Sequence, residues 1–398
     1  MYDFKTHMNR EGHDALAYDV IPYEGAAVKE GIKRIPMWVA DMNFPAFPGI
    51  INSMSKRLEQ PHFGYYNMSD EYYDSIVNWH KNRYGKELKK EWTGYENGVL
   101  GCLSSVIRAF TCEREGILIN SPVYTGFIKT IENLDRSVIL SPLKKDKDGL
   151  YRMDLLDMED KIKSNNIRLC ILCSPHNPTG RVWTQGELED VMNLYTKYDC
   201  IVVCDEIWAD IVYKKNKHIP LYSLSPEAEK RSICMYAPSK TFNLAGLIGA
   251  YHVICNKDIR QKVEKISVST HYNYCNVLSM HALTGAYSKE GGIWNDELIE
   301  VLDKNISYAM DFFENTLEEI EVSRPEGTYM LLINCRKWCE NNNVEFDCLV
   351  KRGIYEGIIW NDGRLFHADY CIRLNLALPF DMLEEAVIRM RNNIFVKN

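Results

Sequence analysis

Ser239 and Lys240 are the residues whose types and position best suit chemistry. They follow a short apolar run, Ser232 to Tyr236, and the pair Ala237-Pro238. Such a run predicts a buried strand, and a lysine at its exit is expected in a crevice where partial desolvation favours the neutral amine. A neutral amine can form a Schiff base with a carbonyl cofactor. An isolated Ser-Lys pair is more often part of a surface loop, so the interpretation depends on the other strand ends.

Polar residues follow the carboxyl ends of three further predicted strands. Tyr124 stands in Ser-Pro-Val-Tyr, Asn177 in Ser-Pro-His-Asn-Pro-Thr-Gly, and Asp205 directly before Glu206. Ligands of open α/β sheets bind beyond the carboxyl ends of the strands, so these side chains and Lys240 are expected to share one region. Each also has an ordinary explanation: a core tyrosine, a turn asparagine and a helix N-cap aspartate.

Together the four residue types fit pyridoxal phosphate (PLP). Lys240 would hold the aldehyde, and Asp205 would pair with the protonated pyridine nitrogen and keep the ring an electron sink. Asn177 would hydrogen-bond the phenolic oxygen of the ring. Tyr124 would stack on the ring face. The sequence therefore predicts a PLP site at the carboxyl ends of these strands.

A glycine turn provides a candidate phosphate site. Gly98 precedes an apolar-periodic stretch that predicts a helix, so Val99 and Leu100 would present free N–H groups at its N-terminus. A lone glycine turn is a weak signal. Ser239, beside the lysine, is a further candidate contact with the cofactor.

Composition limits the classes of function. The chain has 398 residues, 46% of them hydrophobic, and a net charge of −8. No block of lysine or arginine predicts binding to nucleic acid, and the apolar runs are too short to cross a bilayer. The first residues show no apolar signal segment, and 13 scattered cysteines predict reduced thiols, so a cytoplasmic protein is expected. Cys170 and Cys173 have redox-motif spacing, but their apolar run predicts buried structural thiols.

Short apolar runs alternate with helical stretches over much of the chain. Runs that are apolar throughout are typical of parallel strands buried on both faces, so the alternation predicts a doubly wound, mostly parallel α/β sheet. The predicted strands are Gly116–Asn120, Ser137–Leu140, Arg168–Cys173, Ile201–Cys204, Ile233–Tyr236 and Ala250–Cys255. The predicted helices are Gly49–Glu59, Ser69–Tyr84 with Ser69 as N-cap and Gly85 as stop, Gln185–Lys197, Ile293–Glu318 and Asp381–Ile394.

The pattern changes near residue 290, which predicts a second, smaller α/β domain. We expect residues 1–45 to form an N-terminal arm that contributes to the small domain. Residues 46–290 would form the large PLP-binding domain and 291–398 the small domain. Strand-like pieces at Tyr329–Asn334 and Cys371–Asn375 lie in this last part.

Eight motifs carry a family resemblance. They are Met37-Trp-Val-Ala-Asp-Met42, Phe63-Gly-Tyr65, Asn97-Gly-Val99, Ser121-Pro-Val-Tyr124, Ser174-Pro-His-Asn-Pro-Thr-Gly180, Asp205-Glu-Ile207, Ser239-Lys-Thr-Phe-Asn243 and Ile372-Arg-Leu-Asn375. With them the chain resembles the fold-type I PLP enzymes of the class I/II aminotransferase superfamily. Within it, the chain is most similar to the MalY/PatB-type β C–S lyases, often called cystathionine β-lyases.

The resemblance implies further roles. Arg373 corresponds to the arginine that grips the substrate α-carboxylate, a task that suits a bidentate fork. From the residues alone, an ion pair with a nearby carboxylate explains Arg373 equally well. Trp38 and Ala40 correspond to substrate-binding positions. Tyr65 corresponds to a tyrosine that reaches the phosphate of the neighbouring subunit's cofactor, which implies a homodimer with composite active sites.

Several positions depart from the family pattern. Trp208, implied to lie in the cofactor site, stands three residues after Asp205, where the lyase branch usually has His and many aminotransferases Tyr. An indole donates one hydrogen bond but is neither an acid nor a base. Ala237 stands where a phosphate-binding Ser or Thr is common, Gly101-Cys102 replaces a usual Pro-Ala, and Asn43 replaces a usual Asp. These changes concern the substrate and the reaction more than the binding of PLP.

The resemblance implies a PLP-dependent carbon–sulfur β-lyase. It would cleave cystathionine or another L-cysteine S-conjugate to thiol, pyruvate and ammonia, with Lys240 removing the Cα proton and Arg373 holding the carboxylate. The alternatives are an aminotransferase or another PLP reaction on the same scaffold, and a regulatory binding protein of this fold. The expected partner is a small-molecule amino acid, and no metal, nucleic acid or membrane is expected.

Overall fold

A computed structural model describes residues 2–317 and 319–396, in which helices and strands alternate. The α-helices of the described residues are α1 Leu16–Asp19, α2 Pro48–Leu58, α3 Asp70–Tyr84, α4 Val99–Phe110, α5 Thr125–Glu132, α6 Leu155–Asn165, α7 Gln185–Lys197, α8 Pro226–Arg231, α9 Lys257–Ser269, α10 Val277–Ala286, α11 Lys289–Thr316, α12 Arg336–Asn342, α13 Phe346–Tyr355 and α14 Phe380–Arg389. Short 3₁₀ turns cover Lys90–Trp92, Leu221–Ser223, Ala245–Leu247 and Gly363–Phe366, and a π turn covers Met390–Ile394.

The strands fall into sheets of different size. They are β1 Ile35–Pro36, β2 Thr93–Glu96, β3 Gly116–Ser121, β4 Ser137–Pro142, β5 Lys144–Lys145, β6 Tyr151–Arg152, β7 Leu169–Cys173, β8 Ile201–Asp205, β9 Ser232–Tyr236, β10 Ala250–Val253, β11 Glu321–Val322, β12 Met330–Asn334, β13 Ile358–Ile359, β14 Asn361–Asp362 and β15 Cys371–Asn375. The chain divides into two contact units. The small unit is Met1–Pro45, Asn177–Gly180 and Glu297–Asn398, and the large unit is Ala46–His176 and Arg181–Asp296.

A seven-stranded mixed sheet forms the centre of the large unit. Its strand order is β2-β10-β9-β8-β7-β3-β4, and β9, β8, β7, β3 and β4 pair in parallel. In the ladder Cys173 pairs with Asp205, and Asp205 pairs with Met235. The segments that follow β7, β8 and β9 therefore leave the sheet at the same edge, as the sequence predicts.

One of the predicted strands, β10, is antiparallel to its neighbours, although a parallel strand was predicted. The strand that begins at Ala250 was expected to be parallel, but β10 is antiparallel to both β9 and β2. Apolar runs do not encode direction, and the connection from β9 to β10 contains only a short 3₁₀ turn instead of a crossover helix. Strand β2 was not predicted, because Thr93-Gly-Tyr-Glu96 is neither apolar throughout nor strictly alternating.

Helices of the large unit cover the sheet with apolar side chains. Val106 and Ile107 of α4, Phe127 of α5 and Val263 of α9 are all almost completely buried in one cluster with strand residues such as Ile119. Burial of this kind contributes about 1.5–3 kcal/mol per large side chain and fixes the helices against the strands. The sheet therefore positions the turns that precede α4 and α5.

Helix boundaries follow local capping. The side chain of Ser69 accepts a hydrogen bond from the amide of Tyr72, and Gly85 ends α3 with φ 67°, so both predicted signals are confirmed. Helix α7 has the predicted bounds and begins with a capping box between Thr184 and Glu187. The predicted end of α11 at Glu318 lies outside the described residues.

The small unit combines both ends of the chain. Strand β1 pairs in parallel with β13, so Ile35 lies beside Ile358. A four-stranded antiparallel sheet has the order β11-β12-β15-β14, and in it Arg373 pairs with Leu332 and Asn361. Strand β15 has the predicted bounds, and Arg373 lies at its middle.

The cysteines match the sequence interpretation. All thirteen are free thiols, and Cys170 and Cys173 are buried in β7. In the described part of the chain, no helix combines the length and apolar character that a membrane span needs.

Gly353→Ala is expected to destabilise the protein, with Gly186→Ala as its matched control. A Cβ at Gly353 in α13 would overlap the buried indole of Trp360, whereas a Cβ at Gly186 in α7 meets no atom within 4 Å. Overpacking costs about 1–3 kcal/mol, but alanine in an open helical position gains up to about 1 kcal/mol over glycine. Thermal and urea unfolding should shift in opposite directions for the two variants. Equal shifts would contradict the clash at Trp360.

Candidate active site

The turn that carries Lys240 is fixed by its backbone. The amide of Phe242 donates to the carbonyl oxygen of Pro238 at 2.8 Å, and the amide of Leu244 donates to that of Ser239 at 3.1 Å. Lys240 is half-buried, and its Nζ lies 5.8 Å from the centroid of the Trp208 ring. The predicted lysine therefore lies on a rigid turn at the exit of β9, with a buried indole beside its amine.

The buried carboxylate of Asp210 holds this turn through a hydrogen bond with Thr241. Asp210 accepts hydrogen bonds from Trp79 Nε1 at 2.9 Å, Tyr84 Oη at 2.6 Å and Thr241 Oγ1 at 2.9 Å. Thr241 is the neighbour of Lys240, so Asp210 connects α3 to the lysine turn. Sequence reasoning missed Asp210, because its partners are far apart in the chain and follow no motif.

Asp205 lies at the end of β8 and is 3% exposed. Burial raises the pKa of its carboxyl group to about 7, although the amide of Ile207, 3.0 Å from Oδ1, and the charge of Lys240 act in the opposite direction. A cation beside a buried carboxyl group stabilises its ionised form and therefore lowers its pKa again. No helix begins directly after Asp205, since the next helical element is the 3₁₀ turn Leu221–Ser223, so Asp205 is not a helix N-cap.

The adjacent Glu206 has a structural environment. Its carboxylate accepts from His218 Nε2 at 2.7 Å, Tyr236 Oη at 2.5 Å and the amide of Leu221 at 2.9 Å. Three donors compensate the burial of this charge and attach the segment after β8 to β9. Glu206 therefore fixes the backbone next to Asp205. The Asp-Glu pair in the sequence does not predict this role.

The glycine turn has the geometry of an anion site. Gly98 has φ 85° and is the N-cap of α4, and it has no side chain with which to cap the first amides. The N–H groups of the first helical turn, where Val99 and Leu100 lie, have no partners within the helix. Such a terminus favours a phosphate group.

Tyr124 and Leu100 both lie close to Gly126. A Cβ at Gly126 would overlap the Tyr124 ring and would lie 3.0 Å from Leu100 Cδ1. Tyr124 also packs edge-on against Phe127, with ring centroids 5.3 Å apart. The structure thus brings the predicted ring-stacking tyrosine next to the predicted phosphate turn.

In the small unit, Arg373 contacts an amide oxygen, a carbonyl oxygen and an aromatic ring. It is 4% exposed, and its Nη1 donates to Asn177 Oδ1 at 3.1 Å. Its Nη2 donates to the carbonyl oxygen of Trp38 at 2.8 Å, and its Cζ lies 4.3 Å from the centroid of the Phe366 ring. These contacts fix the plane of the guanidinium fork. Phe366 was not predicted as part of this site.

The segment that holds Trp38 and Ala40 is fixed by side chains of the small unit. Tyr329 Oη donates to the carbonyl oxygen of Ala40 at 3.1 Å, and Asn361 Nδ2 donates to that of Trp38 at 2.7 Å. Trp38 Nε1 in turn donates to the carbonyl oxygen of Ala17 at 3.1 Å. The structure therefore brings Trp38, Asn177 and Arg373 together around one guanidinium.

The remaining predicted residues have less defined surroundings. Ser239 is buried and holds the lysine turn through its carbonyl oxygen. Tyr65 is fully exposed, whereas its neighbour Tyr66 donates to the carbonyl oxygen of Cys275 at 2.5 Å. A contact of Tyr65 across a subunit interface stays a prediction.

Comparisons with known proteins agree with this geometry. Residues 43–390 match the family Aminotransferase class I and II. Cystathionine beta-lyase PatB of Bacillus subtilis (strain 168) is 36% identical over 303 residues, which are 75% of this chain and 77% of that protein. Protein MalY of Escherichia coli (strain K12) is 28% identical over 400 residues and 99% of each chain. The PLP-bound C-S lyase from Staphylococcus hominis superposes with a TM-score of 0.89 at 29% identity over 99% of each chain.

The family match begins at Asn43, directly after the Met37–Met42 motif, and ends at Met390, directly after α14. The likeness to a PLP-bound structure over nearly the whole chain confirms the predicted fold-type I architecture with a mostly parallel sheet. The chain belongs to the class I and II aminotransferase family.

Proposed function

We propose that this protein is a PLP-dependent carbon–sulfur β-lyase that cleaves cystathionine or another L-cysteine S-conjugate to thiol, pyruvate and ammonia. The observation that carries the proposal is that buried Asp205 ends β8 and the turn of Lys240 follows the neighbouring strand β9 at one sheet edge, where the charge of Lys240 acts on the Asp205 carboxyl group. Support for the lyase reaction comes from PatB, a relative named cystathionine beta-lyase, and from the PLP-bound C-S lyase of Staphylococcus hominis.

The residues fit the cofactor. PLP, when bound, supplies an electron sink for the negative charge that develops at the substrate Cα. Asp205 would hold the pyridine nitrogen protonated, because a cation there compensates the burial that raises the pKa of its carboxyl group. Val99 and Leu100 would bind the phosphate through their amides, and Tyr124 would face the ring. Asn177 would hydrogen-bond the phenolic oxygen.

The protein side chains would perform the proton transfer and the binding. The Lys240 amine would take the Cα proton, since its turn is held by two backbone hydrogen bonds and by Thr241. Arg373 would bind the α-carboxylate with its fork, next to Trp38 and Ala40. Trp208 would help to exclude water from the Lys240 amine, because its ring is 2% exposed.

An aminotransferase reaction is the second candidate. It would use the same cofactor residues, and Trp208 replaces the histidine that the lyase branch usually has. Because an indole does not titrate, Trp208 cannot exchange protons in either reaction. Because both reactions use the same cofactor residues, an experiment is needed to distinguish the lyase from the aminotransferase.

We also propose a cytoplasmic homodimer. Its support is the exposed loop with Phe63 and Tyr65, whose side chains are apolar or aromatic and lie in solvent in the single chain. Thirteen free thiols fit a reducing compartment. In the dimer, Tyr65 would reach the phosphate of the partner's cofactor.

The lyase is expected to release thiol and pyruvate from cystathionine without any 2-oxo acid, because β-elimination needs no amino acceptor. Thiol release and pyruvate formation would both be followed, with Lys240→Ala as the inactive control. Borohydride reduction and peptide mapping should place the pyridoxyl group on Lys240. Consumption of amino acid only after a 2-oxo acid is added would identify an aminotransferase instead.

Asp205→Asn is expected to reduce turnover far more than Asn177→Ala. An amide cannot keep the pyridine nitrogen protonated, and loss of a preorganised electrostatic contact costs on the order of 3–4 kcal/mol, or roughly 100- to 1000-fold in rate. Asn177 would donate one hydrogen bond to the ring and accepts one from Arg373 Nη1 at 3.1 Å, and neither contact holds the pyridine nitrogen protonated, so its loss should cost less in turnover at saturating substrate. The rates would be measured at saturating PLP. Equal, small losses in both variants would show that Asp205 is not the pyridinium partner.

Two inactive variants are expected to complement each other. In a mixed dimer of Lys240→Ala and Tyr65→Phe, one of the two sites has both native residues, so about a quarter of wild-type activity should return after random exchange. The matched control mixes Tyr65→Phe with the double variant, in which no site is intact. Activity no higher than in this control, or a monomer by sedimentation, would refute the shared site.

A further inference from the structure

Arg10 lies near the start of the chain and makes four hydrogen bonds to the Trp38 segment, residues 38–43. Its Nη1 donates to the carbonyl oxygen of Met42 at 3.1 Å and to Asn43 Oδ1 at 3.0 Å. Its Nη2 lies 2.6 Å from Asp41 Oδ2, and its Nη1 lies 3.3 Å from Asp41 Oδ1. The guanidinium fork of Arg10 therefore fixes three consecutive residues of this segment.

The ion pair of Arg10 and Asp41 is largely shielded from solvent, since the two side chains are 15% and 19% exposed. Asn43 is buried beside it, and its Nδ2 donates to the carbonyl oxygen of Pro36 at 3.4 Å. An amide can accept from Arg10 and donate to Pro36 at the same time, whereas an aspartate has no donor when it is ionised. The departure from the family pattern at Asn43 therefore belongs to this cluster.

Residues 10–18, the Arg10 segment, contact the Trp38 segment at a second place. Trp38 Nε1 donates to the carbonyl oxygen of Ala17 at 3.1 Å, and Val39 packs against the apolar cluster of Ala15, Ala17 and Tyr18. The Arg10 Cζ lies 5.7 Å from the centroid of the Tyr18 ring, so the ion pair and the apolar cluster are adjacent. The Arg10 segment thus holds the Trp38 segment at both ends.

The Trp38 segment in turn holds the candidate substrate arginine. The carbonyl oxygen of Trp38 accepts from Arg373 Nη2 at 2.8 Å. Asn375, two residues further along β15, donates through Nδ2 to the carbonyl oxygens of Val39 at 2.6 Å and Asp41 at 2.5 Å. A displacement at Asp41 would therefore disturb both the guanidinium fork of Arg373 and the strand that carries it.

We propose that Arg10 is a positioning residue for substrate binding and acts through the Trp38 segment on Arg373. This inference rests on the proposed function, in which Arg373 binds the α-carboxylate. Without Arg10, only a fraction of the molecules holds the segment in the arrangement that binds substrate, and the apparent affinity falls by that fraction. Bound substrate holds the segment in place, so KM rises while kcat changes little.

The test compares Arg10→Met with Arg324→Met in the holoenzyme. Arg324 forms an exposed ion pair with Asp303 in the same unit, with 44% and 42% of the side chains exposed, and is the matched control. Arg10→Met should raise KM for cystathionine roughly 10-fold, the loss expected for hydrogen bonds to a charged group, with kcat within about twofold of the wild type. Arg324→Met should change neither constant.

Two further variants separate the ion pair from the rest of the arginine. Arg10→Lys retains the charge but not the fork, so it should recover only part of the affinity. Asp41→Asn should raise KM in the same direction as Arg10→Met. The double variant Arg10→Met, Asp41→Asn should be hardly worse than Arg10→Met, because both changes remove the same contact.

Binding of L-alanine separates this inference from the proposed reaction. L-Alanine has an α-carboxylate and no β-leaving group, and its binding would be followed by the absorbance of the cofactor. Arg10→Met should weaken this binding roughly as much as it raises KM, whereas Arg324→Met should not. If the wild type binds L-alanine but does not cleave cystathionine, the proposed reaction fails and the role of Arg10 is still tested.

Hydrogen exchange provides a measurement that does not depend on turnover. The amides of the Trp38 segment should exchange faster in Arg10→Met than in the wild type, while those of β8 are unchanged. Asp41→Asn should give the same pattern if Arg10→Met folds poorly. Equal effects of the two methionine variants, a loss of kcat at unchanged KM, or unchanged exchange in the Trp38 segment would overturn the proposal.

Discussion

The register of β7, β8 and β9 is the constraint on which the candidate site depends. Cys173 pairs with Asp205 and Asp205 with Met235, so three segments leave the sheet side by side. These strands are buried on both faces, and a slip of one residue would turn the carboxylate of Asp205 to the opposite face. Hydrophobic burial in the sheet thus determines where Asp205 and the turn of Lys240 lie.

The buried carboxyl groups at the end of β8 and in the segment that follows it have two different roles. Glu206 and Asp210 each accept several hydrogen bonds, and the donors include Tyr236 of β9 and Thr241 of the lysine turn. Asp205 differs, since burial brings the pKa of its carboxyl group to about 7. The hydrogen-bonded carboxylates of Glu206 and Asp210 hold the turn in place. The negative charge of Asp205 is disfavoured by burial, and a cationic ligand beside it would stabilise that charge.

The sequence predicted those features that local patterns encode. The bounds of α7 and β15, the cap at Ser69 and the position of Lys240 after a buried strand all depend on neighbours in the chain. Features that depend on distant partners were missed. Asp210 is one example, because its role rests on α3 and on the lysine turn, and the direction of β10 is another. Hydrophobic periodicity contains no information about either.

Both candidate cations are oriented by aromatic rings. The Cζ of Arg373 lies 4.3 Å from the Phe366 centroid, and its Nη atoms donate to the amide oxygen of Asn177 and the carbonyl oxygen of Trp38. These contacts fix the plane of the guanidinium, so the proposed bidentate binding of a substrate carboxylate would need little reorganisation of the side chain. Lys240 lies beside the Trp208 ring in the same manner. Since an indole has no titratable proton, Trp208 can orient the amine, and in the proposed reaction the proton would be carried by Lys240.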